Sequence, residues 1–199
     1  MEKQLIISVG REYGSGGHVI AEELAKRFSI PLYDHNLLHE IAEHKNVDKE
    51  ELSKYDEVPK NIFLYRKVKG HSNSPEEQIA NMQFNFLKAK AEEGKSFVVV
   101  GRCSEHILKD NPNLITIFVL GDIEAKVARI ASIHHLSLDD AERRVRYKDK
   151  KRKSYHNFYC TGKWGDSRNY DISVNSTRLG IDATTELLYQ YILTRIENR

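Results

Sequence analysis

The sequence predicts an α/β fold in which a parallel sheet of five strands is flanked by helices. Three observations lead to this prediction. Apolar runs suited to strands alternate with segments of helical periodicity along the whole chain. The clearest runs, 96–102 and 114–120, are continuously apolar, which is typical of central parallel strands. A glycine-rich turn joins the first strand to the first helix. The 199 residues suit a single domain over 1–199 with a substantial core.

The first elements follow from local spacing. The run 5–9 reads as a strand, and apolar residues then recur at helical spacing over 19–28. A short strand over 30–34 ends in a carboxylate, and an amphipathic helix over 35–45 follows it. Periodicity weakens over 47–74, where we expect short helices and loops.

Capping signals place the later helices. Ser74 followed by Pro75 predicts a helix start, and that helix should end at Gly94. After the strand 114–120, Asp122 is expected to cap the next helix, and Ser137 the one that leads into a basic segment. The last strand is expected over 170–175 and the closing helix over 181–196.

Composition narrows the class of protein. The 31 basic and 29 acidic residues give a net charge of +2, which by itself indicates no nucleic-acid partner. No run approaches the ~18 apolar residues of a membrane span, and the start lacks a signal peptide, so a cytoplasmic location is expected. Cys103 and Cys160 lie far apart, which supports neither a disulfide framework nor a zinc site. We predict no metal ligands.

The turn over 10–18 has the character of a phosphate cradle. Backbone amides of such a turn and the dipole of the following helix converge on an anion. Against the G-x-x-x-x-G-K-[ST] pattern it is degenerate, because Gly17 stands where the lysine belongs and His18 where the hydroxyl belongs. The alternative is a turn that needs glycine for its backbone and binds nothing.

A basic segment over 143–153 carries eight cations and one carboxylate. The like charges of such a segment repel one another, and the segment usually becomes ordered when an anion binds. The alternative is a solvated face of a helix. Ligands of parallel sheets bind beyond the carboxyl ends of the strands. That rule brings the glycine turn, Asp34 and Arg102 to one rim, which suggests a phosphorylated ligand with a second polar group.

These motifs resemble the cytidylate kinase-like family, in the nucleoside monophosphate kinase branch of the P-loop NTPases. The likeness rests on residues 6–17, 31–34, 99–102, the basic segment and 164–171. It implies a three-layer P-loop NTPase fold with a helical lid over 137–165 and an acceptor-side helical insert over 47–94. It also implies phosphoryl transfer from ATP, with Mg²⁺ held through the phosphates, to a nucleoside monophosphate.

Phosphoryl transfer needs positioning and charge neutralisation, so cations are the residues to seek. Arg11 is our candidate replacement for the missing lysine, because a guanidinium reaches phosphate oxygens bidentately. The alternative is that Arg11 pairs with Glu12 or another acid. The backbone of the turn would hold the β-phosphate, through Gly14, Ser15, Gly16, Gly17 and His18.

The lid and the acceptor side complete the predicted site. In the lid the resemblance favours Lys148 and Arg152, followed by Arg144 and Arg146. Arg102 resembles the arginine that holds the acceptor's phosphate; alternatively it ties the strand end to a carboxylate. Asp34 is expected on the acceptor side or as a helix cap, and His18 could instead cap its helix.

Two functions are therefore open. The cationic lid favours an ATP-dependent kinase, whereas the missing lysine favours a non-catalytic nucleotide- or phosphate-binding module. An RNA-binding role is weaker, because Tyr147 and Tyr155 are too few to form an aromatic platform. We expect a small-molecule nucleotide as the partner. The acceptor is not fixed by the sequence, and neither is the oligomeric state.

Overall fold

The computed structural model describes residues 4–34, 37, 38, 41, 67, 68, 71, 72 and 74–198. Its central feature is a five-stranded parallel sheet with the order β2-β5-β1-β6-β7. A separate antiparallel pair is formed by β3 and β4. The strands are β1 Ile6–Arg11, β2 Leu32–Tyr33, β3 Lys67–Val68, β4 His71–Ser72, β5 Phe97–Val100, β6 Leu114–Leu120 and β7 Ile172–Asn175.

Strand β1 lies in the centre of the sheet, where Ser8 is in register with Val99 on one side and Thr116 on the other. The chain adds β2 and β5 on one side of β1, then β6 and β7 on the other. The strand order therefore reverses at the carboxyl end of β1, which is the position where parallel sheets bind ligands.

Helices cover both faces of the sheet. On one face, α1 and α7 pack on alternate residues of the strands, such as Ile7 and Ile117. On the other, α2 packs on the opposite set, which includes Ile6 and Phe97. The helices of the described residues are α1 Gly17–Phe28, α2 Pro75–Glu92, α3 Ser104–Ile107, α4 Ile123–His134, α5 Leu138–Tyr159, α6 Ser176–Leu179 and α7 Ile181–Glu197.

The predicted fold class is confirmed, and the five strands of the sheet follow one another as predicted; the short helices α3 and α6 were not predicted. The second strand is shorter than predicted, since only Leu32–Tyr33 pairs with β5. Within 47–74 the described residues contain an antiparallel strand pair where helices and loops were expected. Residues 47–66 and most of the predicted helix 35–45 lie outside the described residues.

All three predicted cap residues stand at the N-cap position of their helices. Ser74 and Ser137 each accept a hydrogen bond from the amide three residues later. Asp122 is the N-cap residue of α4, but its side chain makes no capping hydrogen bond. Its carboxylate instead accepts hydrogen bonds from Asn175 and Arg178, so it joins α4 to the end of β7.

The basic segment is helical throughout. Helix α5 is 22 residues long and packs against α4 through Val127, Ile130, Ala141 and Val145. None of the helices in the described part of the chain has an apolar stretch sufficient to cross a membrane.

Candidate functional site

The turn between β1 and α1 requires glycine for its own geometry. Gly14 and Gly16 have positive φ values of 86° and 81°. A Cβ on Gly16 would lie 2.8 Å from Cδ1 of Ile181, and one on Gly14 would lie 3.0 Å from the carbonyl oxygen of Lys126. These two glycines are therefore needed by the fold, whether or not the turn binds a ligand.

Beside this turn is a cavity of about 300 Å³. The first turn of α1 lines it, and the amides there have no partner one turn earlier within the helix. The positive end of the helix dipole adds to their attraction for an anion. The cavity is lined by Arg11, Glu12, Tyr13, Gly14, Gly16, Gly17, His18, Val19, Arg129, Ile130, Ile133 and Arg152.

Two side chains of the turn are engaged with the protein itself. The hydroxyl of Ser15 donates to the carbonyl oxygen of Glu12 at 2.9 Å and accepts from the amide of Gly17 at 3.3 Å. The ring Nε2 of His18 lies 2.6 Å from Oδ2 of Asp34, a side chain that is 5% exposed. The hydroxyl of Ser15 and the Nε2 of His18 are therefore both engaged within the protein.

The contact between His18 and Asp34 was not predicted. The two residues were assigned to opposite sides of the site, one to the phosphate and the other to the acceptor, yet their side chains bind each other. The carbonyl oxygen of Asp34 also accepts from Nη2 of Arg102 at 3.3 Å and from the amide of Leu37. Asp34 therefore joins the end of β2 to both α1 and the end of β5.

Three of the predicted arginines meet at the rim of the sheet. Arg11, Arg102 and Arg152 line one narrow cleft at the carboxyl ends of β1 and β5. Its volume of about 20 Å³ shows that these side chains nearly fill it. Three arginines line this cleft against one acid, Glu105, so the net charge of its lining favours an anion.

Arg102 is held in an unusual backbone conformation. Gly101, Arg102 and Cys103 have consecutive positive φ values of 75°, 59° and 54°. Non-glycine residues avoid this region, and such strain concentrates at functional sites. The turn directs a buried guanidinium into the cleft at the end of β5.

Arg152 connects the cleft to the larger cavity, because it lines both. Its Nη1 donates to the carbonyl oxygen of Arg11 at 3.4 Å, and its guanidinium carbon lies 5.4 Å from the ring centre of Tyr13. Helix α5 thus brings a predicted lid cation directly to the glycine turn.

The other predicted lid cations lie elsewhere. Lys148 is exposed and Arg144 is half-buried, and neither lines the cleft or the cavity formed by the described residues. Arg146 pairs with Glu142 on the exposed face of α5. Of these lid candidates, the structure places Arg152 at the site.

A buried ion cluster behind the turn was missed at the sequence level. The Nζ of Lys126, whose side chain is 6% exposed, lies 2.8 Å from Oε2 of Glu12 and 3.1 Å from Oδ2 of Asp149. Glu12 also accepts from the amide of Gly121, and Asp149 from the amide of Tyr13 at 2.6 Å. Burial raises the pKa of Asp149 above its usual value.

This cluster joins the turn, α4 and α5. It also concerns the alternative in which Arg11 pairs with Glu12, because the carboxylate of Glu12 is engaged by Lys126. A sequence signal for it existed: Lys126 stands in the apolar stripe of α4 with Val127 and Ile130, where a cation needs a buried partner. Its two partners could not be read from spacing, since they lie 114 and 23 residues away.

A family model described as the cytidylate kinase-like family matches residues 6–178 of the chain. The chain is 25% identical over 194 residues to a cytidylate kinase of Methanopyrus kandleri, covering 92% of this chain and 91% of that protein.

Solved structures are also similar. A protein of Eubacterium ventriosum, described as uncharacterised, has 40% identity and a TM-score of 0.76, over 95% of this chain and 98% of that one. A shikimate kinase of Bacteroides thetaiotaomicron is similar in fold, with 13% identity and a TM-score of 0.55, over 94% and 98%. The fold is the three-layer fold of P-loop kinases.

Proposed function

The chain belongs to the cytidylate kinase-like family, and on that premise we propose that it transfers the γ-phosphoryl group of ATP to a nucleoside monophosphate. The resemblance makes cytidylate the first acceptor to test. The observation that carries the proposal is the position of Arg11 and Arg152, which line both the cavity at the glycine turn and the cleft that contains Arg102.

This arrangement suits phosphoryl transfer between two bound nucleotides. The cavity at the start of α1 would hold the donor's phosphates through backbone amides. Arg102, at the end of β5, would hold the acceptor's phosphate. Arg11 and Arg152 would then lie beside the phosphoryl group as it is transferred. Their positive charge would stabilise the negative charge that spreads over the oxygens of that group in the transition state.

The residues present fit a nucleotide better than they fit a protein-bound magnesium ion. The hydroxyl of Ser15 is directed to Glu12, and His18 occupies the position of the metal-binding hydroxyl in the P-loop pattern. Magnesium would therefore be held through the phosphates of ATP. It would supply further neutralisation of their charge.

The domain organisation follows from the same proposal. The chain is one kinase-like domain over 1–199, in which residues 137–165 act as the lid and 47–94 as the acceptor-side insert. Helix α5 forms most of this lid, and α2 ends the insert. In such enzymes, closure of a lid excludes water from the transferring group.

A second candidate is a nucleotide-binding module without turnover. It is favoured by one observation: the lysine near the turn, Lys126, is buried between Glu12 and Asp149, and Gly17 stands in place of the loop lysine. Such a protein would bind ATP in the same cavity and release it unchanged.

A coupled assay of ADP release separates the two candidates. The protein is given ATP, Mg²⁺ and each of a panel of nucleoside monophosphates, with thermal unfolding measured in parallel under the same ligands. Turnover that depends on one acceptor, and that falls in Arg102→Gln but not in Arg143→Gln, supports the kinase. Stabilisation by ATP without turnover supports the binding module, and no response to any nucleotide contradicts both.

A further inference from the structure

Both cysteines of the chain lie in one buried cluster, although they are far apart in the sequence. Cys103 follows the strained turn at the end of β5, and Cys160 ends helix α5. The two residues belong to one cluster of buried side chains, together with Ala80 and Tyr155. The fold therefore makes a pair that sequence spacing did not predict.

Two further ligand-type side chains complete the cluster. The ring Nε2 of His156 lies 2.6 Å from Oε1 of Glu105, and Sγ of Cys160 lies 3.9 Å from that same oxygen. Ligand atoms of these three residues all lie within 4.8 Å of one another, and all three residues are buried.

We propose that Glu105, His156 and Cys160 form a binding site for a single transition-metal ion of the Zn²⁺ class, with a water molecule as the fourth ligand. This site goes beyond the proposed phosphoryl transfer and does not depend on it. Sulfur, imidazole and carboxylate ligands are those that zinc takes in tetrahedral sites.

The distances are close to those that a tetrahedral ion needs. With bond lengths of about 2.0–2.3 Å, ligand atoms lie about 3.3–3.8 Å apart around zinc. The Sγ of Cys160 already lies 3.9 Å from Oε1 of Glu105. The Nε2 of His156 lies 2.6 Å from the same oxygen, and this distance must increase by about 0.7 Å to admit the ion. A small rotation of the carboxylate on the short helix α3 suffices.

The surroundings of His156 orient it as a ligand. Its Nδ1 lies 3.3 Å from Oδ1 of Asn157, an oxygen that also accepts from the amide of Trp164 at 2.9 Å. An amide oxygen accepts and so does the Glu105 carboxylate, so both ring nitrogens carry protons in the metal-free protein, and an ion would displace the proton on Nε2 while Nδ1 keeps its own. A partner on the second ring nitrogen is typical of metal-binding histidines.

The site also has an entry path. Glu105, His156 and Cys160 line a cavity of about 230 Å³ on the side away from the glycine turn. The other side of the cluster borders the arginine cleft. A bound ion would therefore fix the carboxyl end of α5 to the end of β5, close to Arg102.

Cobalt provides the most direct test. Reduced, chelator-treated protein is titrated with Co²⁺, and we expect one ion per chain, with the intense visible bands of a tetrahedral site and a thiolate charge-transfer band. Zn²⁺ should displace it and raise the midpoint of thermal unfolding. Cys160→Ser should remove the thiolate charge-transfer band, whereas Cys103→Ser should keep it. Asn157→Ala should weaken Zn²⁺ binding about 10–100-fold.

His106→Asn is the matched control, because His106 lines the same outer cavity but is outside the cluster. It should bind cobalt as the wild type does. The proposal is overturned if wild-type protein takes up no ion, or if Cys160→Ser keeps the wild-type cobalt spectrum. It is also overturned if the thiols form a disulfide and the reduced protein then binds no metal. The wild-type titration decides the matter even if a variant fails to fold.

Discussion

A Cβ atom on Gly17 would lie 2.7 Å from the Cβ of Arg11, a separation that real Cβ atoms essentially never show. The side chain of Arg11 thus occupies the space beside the first residue of α1, where the P-loop pattern has its lysine. A lysine at position 17 and the present placement of Arg11 exclude each other. The sequence thus departs from the P-loop pattern in two linked ways: it lacks the lysine at position 17, and it has Arg11 in the space beside that position.

Gly17→Ala should destabilise the protein by about 1–3 kcal/mol, because the new methyl group overpacks against Arg11 and Val119. The free energy of unfolding, measured with denaturant, checks this. In an Arg11→Gly background the same substitution should cost at least about 1 kcal/mol less, since the opposing Cβ is gone. Equal costs in both backgrounds would show that the two residues do not compete.

The sequence predicted the fold because its signals are local. Continuous apolar runs, helical spacing and the caps at Ser74 and Ser137 are each set by a few neighbouring residues. Asp122 is the predicted N-cap, but its carboxylate makes no capping bond because it binds Asn175 and Arg178, which lie 53 and 56 residues further along the chain.

Residues of the candidate site that are far apart in the sequence could be predicted to lie together only where a general rule of the fold applied to them. The rim of a parallel sheet predicted that the glycine turn and Arg102 lie together, and the family resemblance added Arg152; in the structure Arg11, Arg102 and Arg152 line one cleft. Which of the lid cations would reach the rim depends on the rotation of α5 against α4, and that is decided by packing at Ala141 and Val145. No pattern of charge could distinguish Arg152 from Lys148.

Arg11→Ala should weaken ATP binding by about 10–150-fold, which corresponds to the loss of about 1.5–3 kcal/mol of charge-assisted hydrogen bonding. Isothermal titration calorimetry gives the dissociation constant directly. Arg143→Ala is the control, since Arg143 pairs with Asp140 on the exposed face of α5. An unchanged dissociation constant in Arg11→Ala would remove this residue from the nucleotide site.

Arg152→Gln should lower kcat about 100–1000-fold while changing the affinity for ATP much less, because a cation at the junction acts mainly on the charge of the transition state. Steady-state kinetics and calorimetry on the same preparation check the two effects separately. Arg146→Gln changes an exposed arginine on the same helix and should leave both values near those of the wild type. Parallel losses of kcat and of affinity in Arg152→Gln would argue for ground-state binding instead.

Lys126→Met should be the most destabilising of these changes, at about 3–5 kcal/mol, because it leaves Glu12 and Asp149 without the cation that they share. Burial already raises the pKa of Asp149, and loss of the lysine should raise it further. A carboxyl whose pKa is higher in the folded than in the unfolded state binds more protons when folded. Its contribution to stability is therefore present at low pH and is lost as the pH rises.

The deficit of Lys126→Met relative to the wild type should thus be smaller at about pH 5 than at about pH 8. Denaturant unfolding at both values measures it. Adding Asp149→Asn should recover part of the lost stability and reduce the pH dependence, since the amide oxygen of the new side chain still accepts from the amide of Tyr13 but carries no charge. A deficit that is constant with pH would mean that the cluster contributes through packing rather than through its charges.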